Sequence, residues 1–186
     1  MSVLAPGLLV SAPPLGDPNF ERSVVLLAAH GEDGAFGWII NGRTLMTFGE
    51  LLERANVPAA VRTEGQVRLG GPVAPEQVWL VYRSEARLSG IEGQFDICEG
   101  VTASASRKVL EAIAAGTLPE RLVALAGYAG WALSQLEEEI RVGAWLPTDV
   151  EADMLFDVPA DQLWQRAYER IGATPIAFTT RTVGSA

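Results

Sequence analysis

The chain has 186 residues, of which 48% are hydrophobic and 20% are charged, a composition typical of a folded globular domain. Its formal net charge of −9 repels phosphate backbones, which argues against unspecific binding of nucleic acids. Because Cys98 is the single cysteine, an intramolecular disulfide is excluded, and the expected location is the reducing cytoplasm.

The first third of the chain predicts β structure. Residues 8–10 favour a short strand that leads into a proline-rich turn reaching Pro18. Two apolar segments, 23–30 and 36–41, flank the turn sequence Gly-Glu-Asp-Gly, and together they predict a β-hairpin. The N-terminal segment is apolar but has no basic residue, and prolines interrupt it, so it does not resemble a signal peptide.

The middle of the chain contains one strong helix signal. Thr47 and Glu50 have the spacing of a capping box, in which each side chain binds the backbone amide of the other residue, and a short helix over 48–55 should follow. The segment from residue 70 to 75 holds two glycines and two prolines, which exclude a helix there. Further elements are expected in this region, namely strands at 67–69, 78–82 and 95–98 and a helix at 103–115.

The last third predicts a strand followed by helices. Residues 122–126 favour a buried strand, and Gly127 to Trp131 favour a strand-to-helix corner before a helix over 132–142. Residues 145–146 and 154–156 favour short extended pieces. A final helix is predicted by its apolar stripe and a glycine stop, namely Leu163, Trp164, Ala167, Tyr168, Ile171 and Gly172.

These elements alternate without the regular rhythm of a parallel strand-helix-strand fold, so the predicted fold class is α+β. One domain is expected over residues 1–178, with a flexible tail over 179–186. The longest uncharged internal run, 122–136, is shorter than the roughly 20 apolar residues that a membrane-spanning helix needs. No membrane segment is therefore predicted.

Several common catalytic motifs are absent from the sequence. It has neither the Gly-x-Ser-x-Gly elbow of hydrolases nor the glycine-rich loops that bind nucleotide phosphates. With one histidine and one cysteine, the chain cannot assemble a zinc site of the usual composition by itself. His30 ends an apolar strand and is expected to be structural or exposed, and Cys98 to be a small buried hydrophobe. No metal, cofactor or catalytic residue is predicted.

The acidic helix of the last third carries three consecutive glutamates. Glu137, Glu138 and Glu139 point in different directions on a helix, so they are expected to form a solvated face and not a catalytic pair. Glu137 should pair with Arg141 one turn later. If this helix contributes polar groups to a site, Gln135 and Glu139 are the residues expected to do so. The apolar stripe of the helix is predicted to consist of Leu133, Leu136 and Ile140.

Four groups of residues occur in an order that is specific as a set. They are Gly7 to Val10 with Asp17 to Val24; Gly34 to Asn41; Leu69 to Val73; and Gly127 to Trp131 with Gln135 to Glu139 and Ala144 to Leu146. The set resembles the YqgE/AlgH family of bacterial proteins. The resemblance implies a single compact domain in which a mixed, partly barrel-like β-sheet is surrounded by helices. Family members are described as transcriptional regulators, with no agreed reaction or ligand.

Two of the departures from the family pattern affect the expected local structure. Asn41 is followed by Gly42 and Arg43, where the family has a basic residue and a proline, so a more flexible loop is expected. The segment from Ala132 to Ser134 replaces a glycine-rich step, which favours an earlier start of the following helix.

The resemblance and the chemistry of the residues together point to a candidate binding surface. Glycines allow another backbone or a ligand to approach closely, and aromatic rings offer contact area with a polar group. Arginine and asparagine at strand ends supply polar contacts. The surface is predicted to consist of Arg22, Asn41, Gly70, Gly71, Gly127, Tyr128, Gly130, Trp131, Gln135 and Glu139.

The favoured function is that of a non-enzymatic binding or regulatory protein, with an unknown protein or small molecule as partner. It is expected to act indirectly, because its charge disfavours contact with DNA. One alternative is an enzyme that acts on a small metabolite through Arg22, Asn41, Gln135 and Glu139. A further alternative is a DNA-binding transcription factor. Beside all of these stands a structural explanation, in which the glycines and tryptophans serve packing alone.

Overall fold

A curled β-sheet organises the chain, and the computed structural model describes residues 4–13, 20–61, 64–117 and 122–172. The strands are β1 (Gly7–Ser11), β2 (Val24–Gly31), β3 (Gly34–Ile39), β4 (Thr44–Thr47), β5 (Gln66–Leu69), β6 (Val73–Arg83), β7 (Gln94–Cys98), β8 (Val101–Ser104), β9 (Leu122–Trp131) and β10 (Trp145–Thr148). The helices are α1 (Phe48–Arg54), α2 (Arg107–Ala114), α3 (Gln135–Arg141), α4 (Ala152–Phe156) and α5 (Ala160–Ile171). Together they form a single compact α+β domain with a half-barrel sheet, which confirms the predicted fold class.

The strands follow the order β10-β1-β2-β3-β9-β6-β8-β7, with β5 beside β9 and β4 beside β5. Among the described strands, every pair is antiparallel except β5 with β9, so the sheet is mixed, as predicted. β9 lies at the centre of the sheet. It pairs with β6 along one edge, and along its other edge it pairs first with β5 and then with β3. This strand therefore connects the two halves of the sheet.

The predicted hairpin is confirmed as β2 and β3, with Val25 opposite Ile39. The first half of β2 is apolar at every position because both of its faces are covered. Val24 and Leu26 pack in the cluster that contains α4 and α5, whereas Val25 and Leu27 pack in the cluster around α3. A strand that is buried on both sides shows a continuous apolar run instead of an alternating pattern.

The strand-to-helix corner predicted at Gly127 to Trp131 is wrong, because these residues belong to β9. The ladder continues into β3, where Trp131 lies opposite Ala35. Gly127 has a φ of 73°, which bends the strand without ending it. Helix α3 consequently begins at Gln135, later than the sequence indicates, and Leu133 is 60% exposed instead of lying on the buried stripe.

Three other elements differ from the predictions. Residues 154–156 belong to α4, and Arg83 holds this helix through ion pairs with Asp153 at 2.9 Å and Asp157 at 2.8 Å. The helix expected from residue 103 begins only at Arg107, because β8 occupies the preceding residues between β6 and β7. No signal in the sequence predicts the short strand β4, which pairs with β5.

Local signals correctly predict α1 and α5. Thr47 Oγ1 accepts a hydrogen bond from the Glu50 amide at 3.2 Å, and the Glu50 carboxylate accepts one from the Thr47 amide at 2.7 Å, which confirms the capping box. In α5, the Trp164 indole and the Tyr168 hydroxyl both donate to the Ser11 carbonyl, at 2.9 and 3.0 Å. These bonds fix α5 against β1.

The core consists of three clusters around the sheet. One packs α4 and α5 against β1 and β2, the second packs α1 and α2 against β5, β6 and β9, and the third surrounds α3 and β10. In the part of the chain that the structure describes, no helix is long and apolar enough to cross a membrane. Pro18, at the end of the expected proline-rich turn, and the expected tail over 179–186 lie outside the described residues.

Candidate functional site

The structure distributes the ten predicted surface residues over separate places. Arg22 and Asn41 line one cleft, which includes none of the other eight. Three glycines lie where two backbone segments cross, and Tyr128 and Gly130 flank an aromatic cluster. Trp131, Gln135 and Glu139 form a hydrogen-bonded group at the start of α3.

Gly70, Gly71 and Gly127 allow the chain between β5 and β6 to cross β9 at very short range. A Cβ atom on Gly71 would lie 2.1 Å from the carbonyl oxygen of Tyr128, and one on Gly127 would lie 2.5 Å from that of Gly71. A Cβ on Gly70 would lie 2.5 Å from the Gly127 carbonyl oxygen. These glycines are therefore required for contact between backbones, and the space above them is filled by protein.

Tyr128 and Gly130 border an aromatic cluster that consists of Phe36, Trp38, Trp79 and Tyr128. The Tyr128 ring lies 4.8 Å from that of Phe36, and the rings of Trp38 and Trp79 are 5.1 Å apart. Among the residues that the structure describes, the indole N–H groups of both tryptophans have no hydrogen-bond partner. Gly130 is exposed, and a Cβ there would meet nothing closer than the Tyr128 ring at 3.6 Å.

The Trp–Glu cluster, defined as Trp131, Gln135, Glu139 and Trp145, uses its polar groups internally. Glu139 Oε2 accepts hydrogen bonds from the indoles of Trp131 at 2.9 Å and Trp145 at 2.8 Å. Its other oxygen accepts one from the Gln135 amide at 2.9 Å. Phe20 completes the packing, with its ring edge-on to Trp145 at 5.5 Å. Glu139 thus satisfies two buried donors, which is a structural role.

The remaining glutamates of α3 pair differently from the prediction. Glu137 does not pair with Arg141; it bonds His30 of β2 at 2.9 Å. Arg141 instead bonds Glu138, with its Nε 2.9 Å from the carboxylate. A backbone amide and then His30 donate to Glu137 and lower its pKa, and the bond from Arg141 lowers the pKa of Glu138. His30 is therefore structural, one of the two outcomes expected for it.

Asn41 fixes the backbone next to the cleft. Its Oδ1 accepts from the Val24 amide at 2.8 Å, and its Nδ2 donates to the Arg22 carbonyl at 2.9 Å. Arg22 has a φ of 51°, in the left-handed region that residues other than glycine rarely adopt. Asn41 therefore holds Arg22 in a strained conformation, which is a feature often found at functional sites.

The arginine cleft is a cavity whose lining includes both Arg22 and Arg43. It has a volume of 220 Å³, and its lining consists of Glu21, Arg22, Ser23, Ile39, Asn41, Gly42, Arg43 and Leu69. The Arg22 guanidinium lies 5.3 Å from the centre of the Trp164 ring. Within the described residues, neither Arg22 nor Arg43 forms an ion pair. The lining of the cleft therefore includes two arginines that have no carboxylate partner among the described residues, together with the acidic residue Glu21.

Arg43 was missed as a site residue, although the sequence shows a signal for it. It follows Asn41 and Gly42 at the exit of the hairpin, in a chain that has few basic residues. Arg68 supports the same loop, because its Nη1 donates to the Gly42 carbonyl at 3.0 Å. The basic character of this end of the sheet therefore comes from three arginines that are far apart in the sequence.

Metal or thiol chemistry finds little support in the described ranges. They contain no group of three or more histidine, cysteine, aspartate or glutamate side chains that could hold a metal ion. Cys98 is half-buried at the edge of the core, and burial, followed by the charge of Glu99, raises the pKa of its thiol. The thiolate, which is the reactive form, is therefore disfavoured.

Comparisons with known proteins agree on one family. Residues 8–176 match the family model described as AlgH-like. A UPF0301 protein of Anaeromyxobacter is 40% identical over 184 residues, covering 95% of this chain and 92% of the relative. One from Xanthomonas campestris is 37% identical over 178 residues, covering 95% and 93%.

Two solved structures are similar to this one. The solution structure of the AlgH protein from Pseudomonas aeruginosa has a TM-score of 0.78 at 32% identity, covering 100% of this chain and 97% of that one. A crystal structure of a protein from Corynebacterium diphtheriae has a TM-score of 0.70 at 24% identity, covering 89% and 86%. At that identity, the second match shows the fold alone.

Proposed function

This chain belongs to the AlgH-like family, and we propose that it is a non-enzymatic binding protein with a regulatory role. The site of binding is the arginine cleft, and the ligand carries a carboxylate or phosphate group. The observation that carries this proposal is that Arg22 and Arg43 line the same cleft and have no carboxylate partner in the described chain.

Charge makes this observation informative. The protein has a formal net charge of −9, so most of its cations have acidic groups to pair with. Arg83, Arg107 and Arg141 all do so. A guanidinium that remains unpaired beside a second one is available for a two-point contact with an oxyanion, which is among the strongest charge-assisted hydrogen bonds.

Only part of the predicted surface enters the proposal. Arg22 supplies a contact to the ligand, and Asn41 positions Arg22 through the hydrogen bond to its carbonyl. Glu139 accepts hydrogen bonds from two tryptophans, and Gln135 donates to Glu139. The enzyme considered as an alternative from the sequence would therefore lack two of its four groups. That arrangement favours binding over catalysis.

Regulation by this protein is proposed to be indirect. Its negative charge opposes the approach of a DNA backbone, and two arginines in a narrow cleft suit one anionic group better than a charged double helix. The location proposed for this activity is the cytoplasm, in keeping with the single cysteine.

Calorimetric titration with pyrophosphate, citrate and inorganic phosphate tests the cleft. We expect saturable binding of at least one of these anions, weakened roughly tenfold or more by Arg22→Gln or Arg43→Gln, as loss of a charge-assisted contact implies. Arg141→Gln is the matched control, because that arginine lies on α3 outside the cleft. Equal weakening in all three variants, or no binding of any anion, would overturn the proposal.

A further inference from the structure

We infer a second binding site, for a small organic monoanion with an apolar body, in a groove between α1 and α2. It goes beyond the proposed function and does not rest on it, because the groove and the arginine cleft share no lining residue. The groove has a volume of 460 Å³, against 220 Å³ for the cleft. Its size lies in the range of about 300–1,000 Å³ that small-molecule sites occupy.

The walls of the α1–α2 groove are apolar side chains that the fold leaves partly uncovered. Leu45 and Met46 of β4 line one part, and Leu110 of α2 lines another. All three are half-buried at the edge of the second core cluster. Leu80 and Ala126, which are buried, also belong to the apolar lining. Covering such a surface removes it from water, which favours a ligand with an apolar body over a bare ion.

Arg54 supplies an available positive charge in the lining. It forms no hydrogen bond or ion pair within the described part of the chain. The nearby Glu50 carboxylate interacts electrostatically with Arg54, but its hydrogen bonds are those of the capping box with Thr47. An anionic head group can therefore reach Arg54 without displacing an existing partner.

Contacts of Arg107 hold the two helices that border the groove in place, so the groove exists before a ligand binds. Its guanidinium bonds Glu111 on its own helix at 2.9 Å and the carbonyl of Ala55, at the end of α1, also at 2.9 Å. These contacts fix the start of α2 relative to the end of α1. Because Arg107 is engaged in this way, Arg54 is the arginine that remains for the ligand.

Two other polar residues restrict the ligand. Ser106 precedes α2, but its side chain does not cap the helix, so its hydroxyl can bond a ligand in the groove. Glu76 is exposed and lines the same groove, where its negative charge disfavours a ligand with several negative charges. One carboxylate on an apolar body matches this combination of groups.

Titration with octanoate, 1-octanol and acetate, followed by backbone amide NMR, tests the groove. We expect saturable shifts of α1, α2 and β4 with octanoate, weaker ones with octanol, and none there with acetate. Arg54→Gln should weaken octanoate roughly tenfold and leave octanol unchanged. Ala105→Phe, a change at an exposed lining residue, should obstruct both ligands while a thermal melt confirms folding.

Two controls separate this site from general charge effects and from the cleft. Lys108→Gln removes a cation on α2 that does not line the groove, and Arg22→Gln removes one from the cleft; neither should change octanoate binding. The inference is overturned if octanoate gives no saturable shift, if its shifts map to the cleft and not to the groove, or if Arg54→Gln weakens octanol as much as octanoate.

Discussion

The Trp–Glu cluster and the arginine cleft both combine charged groups with tryptophans, but they differ in whether the charged groups have partners within the fold. In the cluster, Glu139 accepts hydrogen bonds from Trp131, Trp145 and Gln135, so its carboxylate is used by the fold. In the cleft, Arg22 and Arg43 have no carboxylate partner among the described residues. One region stabilises the protein, and the other is available to a ligand.

This difference shows that the presence of a charged side chain beside aromatic residues does not by itself indicate a site. The sequence places Glu139 in the predicted binding surface, but two buried indoles need an acceptor and Glu139 is the one that they share. A polar group that the fold has already satisfied contributes stability, whereas an unsatisfied and accessible one is free for recognition. The following predictions test that division, beginning with the largest effect.

Replacing Glu139 by alanine should lower the free energy of unfolding by about 2–4 kcal/mol. The indole N–H groups of Trp131 and Trp145 would lose their acceptor, and each unsatisfied buried donor costs about 1–3 kcal/mol. Urea titration followed by tryptophan fluorescence measures the change. Glu138→Ala is the matched control on the same helix and should leave the unfolding midpoint unchanged, because Glu138 pairs with Arg141 at the surface. Equal losses in both variants would contradict a special role for Glu139.

Replacing Asn41 by alanine should have an intermediate effect, about 1–2 kcal/mol, and should also weaken anion binding. The change removes the acceptor of the Val24 amide and the donor that holds the Arg22 carbonyl. Urea titration and calorimetry on the same protein measure the two effects. If stability falls while anion affinity stays the same, Asn41 does not position Arg22 for binding.

Replacing Arg22 by glycine should change stability by less than about 0.5 kcal/mol while reducing anion binding. Glycine relieves the strain of a φ of 51°, and this gain offsets the loss of the contact with the Trp164 ring, about 0.5–1 kcal/mol. The same urea and calorimetric measurements apply. A large loss of stability would show that the fold requires Arg22, as it requires Glu139.

The smallest expected effect concerns the pH dependence of stability at the bond between Glu137 and His30. Folding lowers the pKa of Glu137, so this carboxylate stabilises the protein at neutral pH and loses that contribution as the pH falls below its ordinary value of 4.5. In Glu137→Gln the contribution is absent at every pH. Unfolding free energies of the two proteins should therefore converge as the solution is acidified. Curves that stay parallel below that pH would contradict the assignment.

Elements with complete local signals could be predicted from the sequence. The capping box of Thr47 and Glu50 and the apolar stripe of α5 are each contained within one helix, and the β2–β3 hairpin is joined by a short turn. In contrast, the extension of β9 through Trp131 depends on pairing with Ala35, which is distant in the sequence. Local propensity cannot supply that information.

The candidate site shows the same limit. Arg22 and Asn41 could be selected as polar residues at strand ends, and the structure places them in one cleft. The position of Arg43 at the exit of the hairpin was a signal in the sequence, but the roles of Glu139 and Arg43 both depend on which partners the fold brings near. For Glu139 these are Trp131 and Trp145, and for Arg43 the decisive fact is the lack of a partner in the described chain.

The change of neighbours along β9 has a consequence for how the molecule opens. Before Gly127, residues 124–126 of β9 lie beside β5, and after it, residues 129–131 lie beside β3. The hairpin of β2 and β3 and the pair of β4 and β5 therefore both close on the same strand. Separating either pair from β9 would disturb the other pair. The amide protons of β9 should therefore exchange with solvent only when the whole domain unfolds cooperatively.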